Sequence, residues 1–209
     1  GVKISEKINL TSDISCVADK DLIVLVSPSK VIRNTLKSMA PFITSGTPIV
    51  ILSKGIEDKT LKTLSEISKE EIPTSPVAAL SGPSHAEEIA QDGMTYLTIG
   101  AHNPQFANEL AKRFACRFVK TRTSSDIRGI EYSAVLKNIY ALVAGICKGA
   151  GYGDNFISVL ISNAAQEMQR FLNTIDPNNE RDTNNFVYLG DLLVTAYSQH
   201  SRNRTFGQM

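Results

Sequence analysis

Pro48-Ile-Val-Ile-Leu-Ser53 is a short apolar run, rich in β-branched residues and closed by the turn Ser53-Lys54-Gly55. It is too short for a helix, and its apolar residues do not alternate with polar ones. That is the pattern of a strand buried on both faces. The same texture recurs on either side, in Leu22-Ile-Val-Leu-Val-Ser27, Val77-Ala-Ala-Leu-Ser81, Tyr96-Leu-Thr-Ile-Gly100 and Arg117-Phe-Val-Lys-Thr121. Helix-like stretches lie between: residues 30–39, with Val31, Ile32, Leu36 and Met39 apolar, residues 59–69, and residues 104–114, where Pro104 stands at a helix start. Buried strands alternating with helices predict an α/β domain with a mostly parallel sheet.

From Ser124 the texture changes and no strand pattern follows. Residues 129–148 read as one long helix, apolar nearly all round. Asp154 reads as the N-cap of a helix over residues 155–172, residues 175–185 as a polar loop, and residues 189–197 as a third helix. The expectation is an α/β domain over 1–123 followed by an all-α domain over 124–209.

Composition narrows the function. The 209 residues carry 22 basic and 21 acidic side chains, a net charge of +1. A nucleic-acid or membrane-surface binder needs a basic excess that is missing here. No uninterrupted apolar run approaches the length of a membrane span. Cys16, Cys116 and Cys147 are odd in number and widely spaced, which suggests reduced thiols in a cytoplasmic protein, with Cys116 and Cys147 as core fillers. His85, His102 and His200 lack metal-ligand spacing.

In an open parallel sheet, ligands bind beyond the carboxyl ends of the strands. Three strands end there in small-residue turns: Val26-Ser-Pro-Ser29, Leu52-Ser-Lys-Gly55 and Leu80-Ser-Gly-Pro-Ser84. Ser84-His-Ala-Glu87 matches a capping box, which would present free N–H groups to an anion. Small residues also simply make tight βα turns, but Lys54, beside a glycine, can reach into such a crevice. No strand opens into Gly-x-Gly-x-x-Gly. Gly149-Ala-Gly151-Tyr-Gly153 has the wrong spacing for that fingerprint, follows a helix, and reads as a helix–helix turn.

Lys137 is the strongest local oddity, a cation in an almost wholly apolar helix whose same-face neighbours Ser133, Ala134, Ala141 and Ala144 are small. Desolvation there disfavours the ammonium and brings proton exchange toward neutral pH. The other reading is a snorkelling or structurally paired lysine. Asp191 and Thr195 stand one helical turn apart, and Asp191 can orient or pair with a nearby lysine. Residues 198–204 place Arg202, Asn203 and Arg204 in a loop, either a solvated basic turn or a bidentate phosphate grip.

Ser53-Lys54-Gly55, Leu80-Ser-Gly-Pro-Ser84, Glu131 with Leu136-Lys137-Asn138, Leu189-Gly-Asp-Leu192 and Ser201-Arg-Asn-Arg204 occur in that order. Together they resemble the bacterial-type NAD(P)-dependent glycerol-3-phosphate dehydrogenase family. The likeness runs from about Thr11 to Gly207, and Tyr188-Leu-Gly-Asp-Leu-Leu is similar to one bacterial branch. The resemblance implies a Rossmann-type sheet domain and a helical substrate domain, both incomplete. A glycine-rich strand–turn–helix is expected upstream and further helices downstream.

It also implies interconversion of dihydroxyacetone phosphate and sn-glycerol 3-phosphate with NAD or NADP, feeding glycerophospholipid synthesis. By similarity Lys137 is the proton donor and contacts substrate. Lys54 lies near both nicotinamide and substrate, Gly82 and Ser84 hold substrate, and Ala86 touches cofactor. Asp191 orients the lysine or the substrate. Ser201, Arg202 and Asn203 bind the substrate phosphate, with Arg202 also near cofactor, and Pro28 lines the cofactor crevice. A homodimer is compatible with the family. The competing readings are a related two-domain hydroxy-acid dehydrogenase and a non-catalytic module without its cofactor half.

Overall fold

The computed structural model describes residues 5–177 and 181–209. Its contacts divide the chain into two compact units, residues 1–78 and 79–209.

In the first unit, β1 (Ile23–Leu25) pairs in parallel with β2 (Ile49–Ile51), Ile23 opposite Ile49. All three β2 side chains are buried, as its uninterrupted apolar run requires. α1 (Ile32–Met39) and α2 (Leu64–Glu71) supply the rest of the core, with Ile32, Leu36, Met39, Leu64 and Ile67 buried against both strands. α2 starts later than the pattern of residues 59–69 predicts. Thr63 sets the boundary: its hydroxyl accepts from the Glu66 N–H and the Glu66 carboxylate accepts from the Thr63 N–H, a full capping box. Arg33 ties α1 to α2 by ion pairs to Glu70 and Glu71, and to the loop before α2 by one to Glu57.

β3 (Val77–Ser81) is buried throughout. In the second unit it pairs with β4 (Thr95–Gly100), which pairs in parallel with β5 (Val119–Ser124). The β3–β4 pair is antiparallel, unlike the parallel pairing the sequence texture suggests. The segment joining them holds only the one-turn helix α3 (Ala86–Ile89), too little for a parallel crossover. α4 (Pro104–Phe114) follows its Pro104 start, with Asn103 as the cap. Cys116 lies exposed in the turn after α4, so it is not a core filler.

The helical part is built on α5 (Ile127–Gly149) and α6 (Asp154–Ile175). Asp154 is the first helical residue of α6, not its cap. Gly153 holds the extended cap position, and the Asp154 carboxylate pairs with Lys148. Gly151, at φ +87°, turns the chain between the two helices. α6 runs three residues past the predicted end, into the region read as a loop, and residues 178–180 of that loop lie outside the described residues. A π-turn, Phe186–Gly190, leads into α7 (Asp191–Tyr197). Ile130, Tyr140, Ala144, Ile161, Met168, Leu172 and Leu192 form the common core.

α8 (Arg202–Gln208) replaces the predicted loop, because the Ser201 hydroxyl accepts from the Arg204 N–H and caps it. α8 crosses α5 backbone to backbone. A Cβ on Gly145 would overlap the Arg204 carbonyl, and one on Gly207 would overlap the Leu142 carbonyl. Gly145→Ala should therefore destabilise the protein by about 1–3 kcal/mol, the cost of overpacking a close contact. A urea unfolding series measures it.

By length and composition alone, α5 is long and apolar enough to cross a membrane. Small and polar residues break its apolar runs, which is why no span stands out in the sequence. Ile127, Ile130, Tyr140 and Ala144 of α5 are buried in the hydrophobic core of the helical part.

Candidate functional site

The two units carry different parts of the predicted site. In the first, Ser53 Oγ donates to the Ser27 carbonyl at 2.6 Å, joining the turns that follow β2 and β1. Pro28 and Lys54 stand exposed on these joined turns. Two strand-end turns held together at the carboxyl edge of a parallel pair are what a crevice for an extended cofactor requires.

In the second unit, β3 ends in Gly82-Pro83-Ser84. Gly82 has φ +144°, and a Cβ there would overlap the Tyr96 carbonyl on β4, so the turn needs a glycine. The expected capping box does not form. α3 begins one residue later than the motif requires, with His85 in the cap position, and Ser84 Oγ donates to the Gly82 carbonyl at 2.9 Å. Ala86, the first residue of α3, is exposed. On either side of Gly82–Ser84, Ser81 Oγ and His85 Nε2 are buried without a hydrogen-bond partner among the described residues. The His85 ring lies 5.9 Å from that of His200, which brings the turn after β3 beside the segment that opens α8.

Lys137 is 6% exposed and Asp191 2%. The Lys137 ammonium lies 2.5 Å from Asp191 Oδ1. α5 supplies the lysine from a face made of Ser133, Ala134, Ala141 and Ala144, all buried, so the small residues leave room at the ammonium. α7 supplies the aspartate from its first turn, and Thr195 Oγ1 donates to the Asp191 carbonyl at 2.6 Å. Asp191 Oδ2 is buried with no hydrogen-bond partner among the described residues. A buried carboxylate oxygen with open acceptor capacity beside a buried ammonium is the donor–acceptor set that a carbonyl or hydroxyl ligand can complete.

The next residue on α5 links to α8. Asn138 Nδ2 donates to the Ala134 carbonyl, and its Oδ1 accepts from Asn203 Nδ2 at 2.9 Å. Arg202 and Asn203 are exposed at the start of α8, while Ser201 is buried as its cap. Consecutive residues of α5 thus pair with two other helices, Lys137 with Asp191 of α7 and Asn138 with Asn203 of α8.

A second buried network escaped the sequence reading. Asp126 caps α5 by accepting from the Gly129 N–H, and the same carboxylate accepts from Arg181 at 2.8 and 3.2 Å and from the Tyr188 hydroxyl. Burial alone would raise the Asp126 carboxyl. The hydrogen bonds from Arg181, Tyr188 and Gly129 outweigh it and hold the group below its ordinary range. Burial, reinforced by the Asp126 carboxylate, pushes the Tyr188 hydroxyl well up. An aspartate three residues before a helical glycine was a readable cap signal, but nothing local marked Arg181 as its partner.

Two family models match the chain, the NAD-dependent glycerol-3-phosphate dehydrogenase N-terminus over residues 1–107 and its C-terminus over residues 126–209. The chain belongs to the NAD-dependent glycerol-3-phosphate dehydrogenase family. Relatives named glycerol-3-phosphate dehydrogenase [NAD(P)+] include one from Agathobacter rectalis, 38% identical over 100% of this chain, and one from Bacillus subtilis, 39% identical over 100% of it. The chain spans 62% and 61% of the length of these two relatives. Among solved structures, glycerol-3-phosphate dehydrogenase of Coxiella burnetii is similar with a TM-score of 0.84 and 30% identity, over 90% of this chain and 57% of that one. The two family models flank β5, the last strand before the helices.

Proposed function

We propose that the protein carrying this chain is an NAD(P)-dependent glycerol-3-phosphate dehydrogenase that interconverts dihydroxyacetone phosphate and sn-glycerol 3-phosphate. The observation that carries this reading is the buried Lys137–Asp191 pair, adjacent on α5 to the Asn138–Asn203 link. Family membership supports it.

NAD(P)H, when bound, supplies the hydride that C2 of the substrate accepts. As C2 is reduced, the Lys137 ammonium gives its proton to the carbonyl oxygen, and in the reverse direction the amine takes it back. Asp191 holds the ammonium by its Oδ1 and balances its charge, which leaves Oδ2 to accept a hydrogen bond from the substrate. Ser201, Arg202 and Asn203 grip the phosphate. Arg202 gives the forked geometry a phosphate favours, and Asn138 orients the Asn203 amide. Gly82 and Ser84 line the substrate side, with Lys54 near both substrate and nicotinamide. Ala86 and Arg202 contact cofactor and Pro28 lines its crevice. In the first unit, the joined turns after β1 and β2 fit a cofactor of this kind. In the second, the Ser81 and His85 atoms that have no partner among the described residues fit a polar substrate. Holding reactants in this order supplies most of the catalytic advantage.

The same reading divides the chain near Thr123 into a cofactor domain and a substrate domain. It also places the enzyme in the cytoplasm, feeding glycerophospholipid synthesis and able to form a homodimer. The test is NADH or NADPH consumption by the full-length protein. Rapid consumption with dihydroxyacetone phosphate and little with a 2-keto acid lacking phosphate is expected. The opposite preference would replace this reading with a hydroxy-acid dehydrogenase.

A further inference from the structure

We infer that the buried Asp126–Tyr188–Arg181 cluster is a positioning clamp that sets Asp191 against Lys137. The inference rests on the proposed role of that pair.

α5 carries both Asp126, as its cap, and Lys137, in its middle. The chain that faces it carries both Tyr188, in the π-turn Phe186–Gly190, and Asp191, directly after that turn. The same two segments are therefore fastened twice, once by the Tyr188 hydroxyl on the Asp126 carboxylate and once by Asp191 on Lys137. π-helical turns are rare and occur frequently at functional sites. Here the Tyr188, Leu189 and Gly190 N–H groups all converge on the Asn185 carbonyl, and the Asp191 N–H bonds to the Phe186 and Tyr188 carbonyls, so the backbone fixes the path of the turn. Side chains fix how that turn sits against α5. Phe186 packs on Tyr96 and under Arg122, while Tyr188, three residues before Asp191, bonds to Asp126.

Arg181 completes the clamp. Its side chain is 2% exposed, it gives two hydrogen bonds to Asp126, and it gives a third to Asp176 at the end of α6. The Asp126 carboxylate thus joins the start of α5, the end of α6 and the π-turn. Its distance from the proton-transfer pair is set by α5 itself, about three helical turns. A side chain that far away acts on the reaction only through where it holds Asp191.

The variant Tyr188→Phe removes the hydroxyl and keeps the ring. In the full-length enzyme the clamp predicts that kcat for dihydroxyacetone phosphate falls about tenfold or more, as sub-ångström to ångström misplacement of a catalytic group costs. KM should change little, because the phosphate contacts lie on α8. The decisive readout does not depend on turnover. The rate at which the Lys137 amine is acetylated by a small reagent, followed by peptide mass spectrometry, should rise severalfold as its Asp191 partner loosens. Arg181→Lys keeps one charged donor and should fall between wild type and Tyr188→Phe in both readouts. Unchanged Lys137 labelling in Tyr188→Phe, or an unchanged kcat, overturns the clamp and leaves the cluster a purely structural one, whatever happens to thermal stability. A wild-type protein that does not reduce dihydroxyacetone phosphate overturns the proposed function instead, and the labelling comparison still tests the clamp.

Discussion

Lys137→Ala in the full-length protein should lower kcat for dihydroxyacetone phosphate reduction by about 10²–10⁴-fold, the range that general acid–base groups supply. The argument begins with where the lysine is. Its side chain is almost wholly removed from water and its ammonium is 2.5 Å from a carboxylate equally buried. Replacing it with alanine removes the proton donor and also leaves Asp191 as a buried charge without its cation. That second effect costs stability, about 3–5 kcal/mol for breaking a buried pair from one side. The two effects separate by measurement. A melting curve at the assay temperature reports the fraction folded, and kcat is then corrected to folded enzyme. The expected split is a large fall in kcat with a smaller change in KM, because the substrate phosphate is gripped from α8. Lys137→Ala that folds and turns over near the wild-type rate would remove the lysine from the chemistry. The double variant Lys137→Ala/Asp191→Ala should be more stable than Lys137→Ala alone, since no uncompensated charge remains.

The parts of this fold that were legible in the sequence are those set by local patterning. The β2 run reads as a strand because three consecutive apolar residues are buried on both faces. Pro104 fixes the start of α4. Lys137 stands out because an ammonium interrupts an apolar helix, and Asp191 because an acid one helical turn from Thr195 can pair with a nearby lysine. Boundaries that depend on a side chain's choice of partner were less legible. Ser84 could cap a helix, but its hydroxyl turns back on Gly82. Ser201 does cap one, yet Arg202-Asn203-Arg204 carries no apolar periodicity to announce α8. The direction of β4 was hidden because an apolar run carries no sign of the strand it pairs with. Asp126, Arg181 and Tyr188 come from three separated segments, and only tertiary structure makes them one cluster. The comparison shows what kind of information is missing from a single chain: not which residues are unusual, but which of them meet.

Asp126→Ala is expected to be the most destabilising single substitution on the second unit's polar network, at about 3–5 kcal/mol near pH 7. The variant strips the Arg181 guanidinium, buried at 2% exposure, of two of its hydrogen bonds, and it deprives Tyr188 and the Gly129 N–H of their acceptor. Loss of an N-cap alone accounts for only about 1 kcal/mol, so most of the effect comes from the buried Arg181 and Tyr188 groups that lose their acceptor, Arg181 keeping Asp176 as its carboxylate partner. The pH dependence gives an independent check. The folded Asp126 carboxyl sits below its ordinary value, so its contribution is fully present above the unfolded pKa near 4 and is lost as pH falls through the lower folded value. The stability gap between wild type and Asp126→Ala should therefore be flat from neutral pH to about pH 5 and shrink progressively below about pH 4. Urea unfolding across that range measures it. A gap that stays constant into the acid range would mean that the carboxylate's charge does not hold the network together. Asp126→Asn separates the remaining contributions, since its single amide oxygen can still cap α5 as Oδ1 does, but the amide nitrogen cannot accept from Tyr188 and the side chain offers Arg181 no charge. Its loss should lie between the cap value and the full effect, and the gap between Asp126→Asn and Asp126→Ala, neither of which titrates there, should show little of the acid dependence.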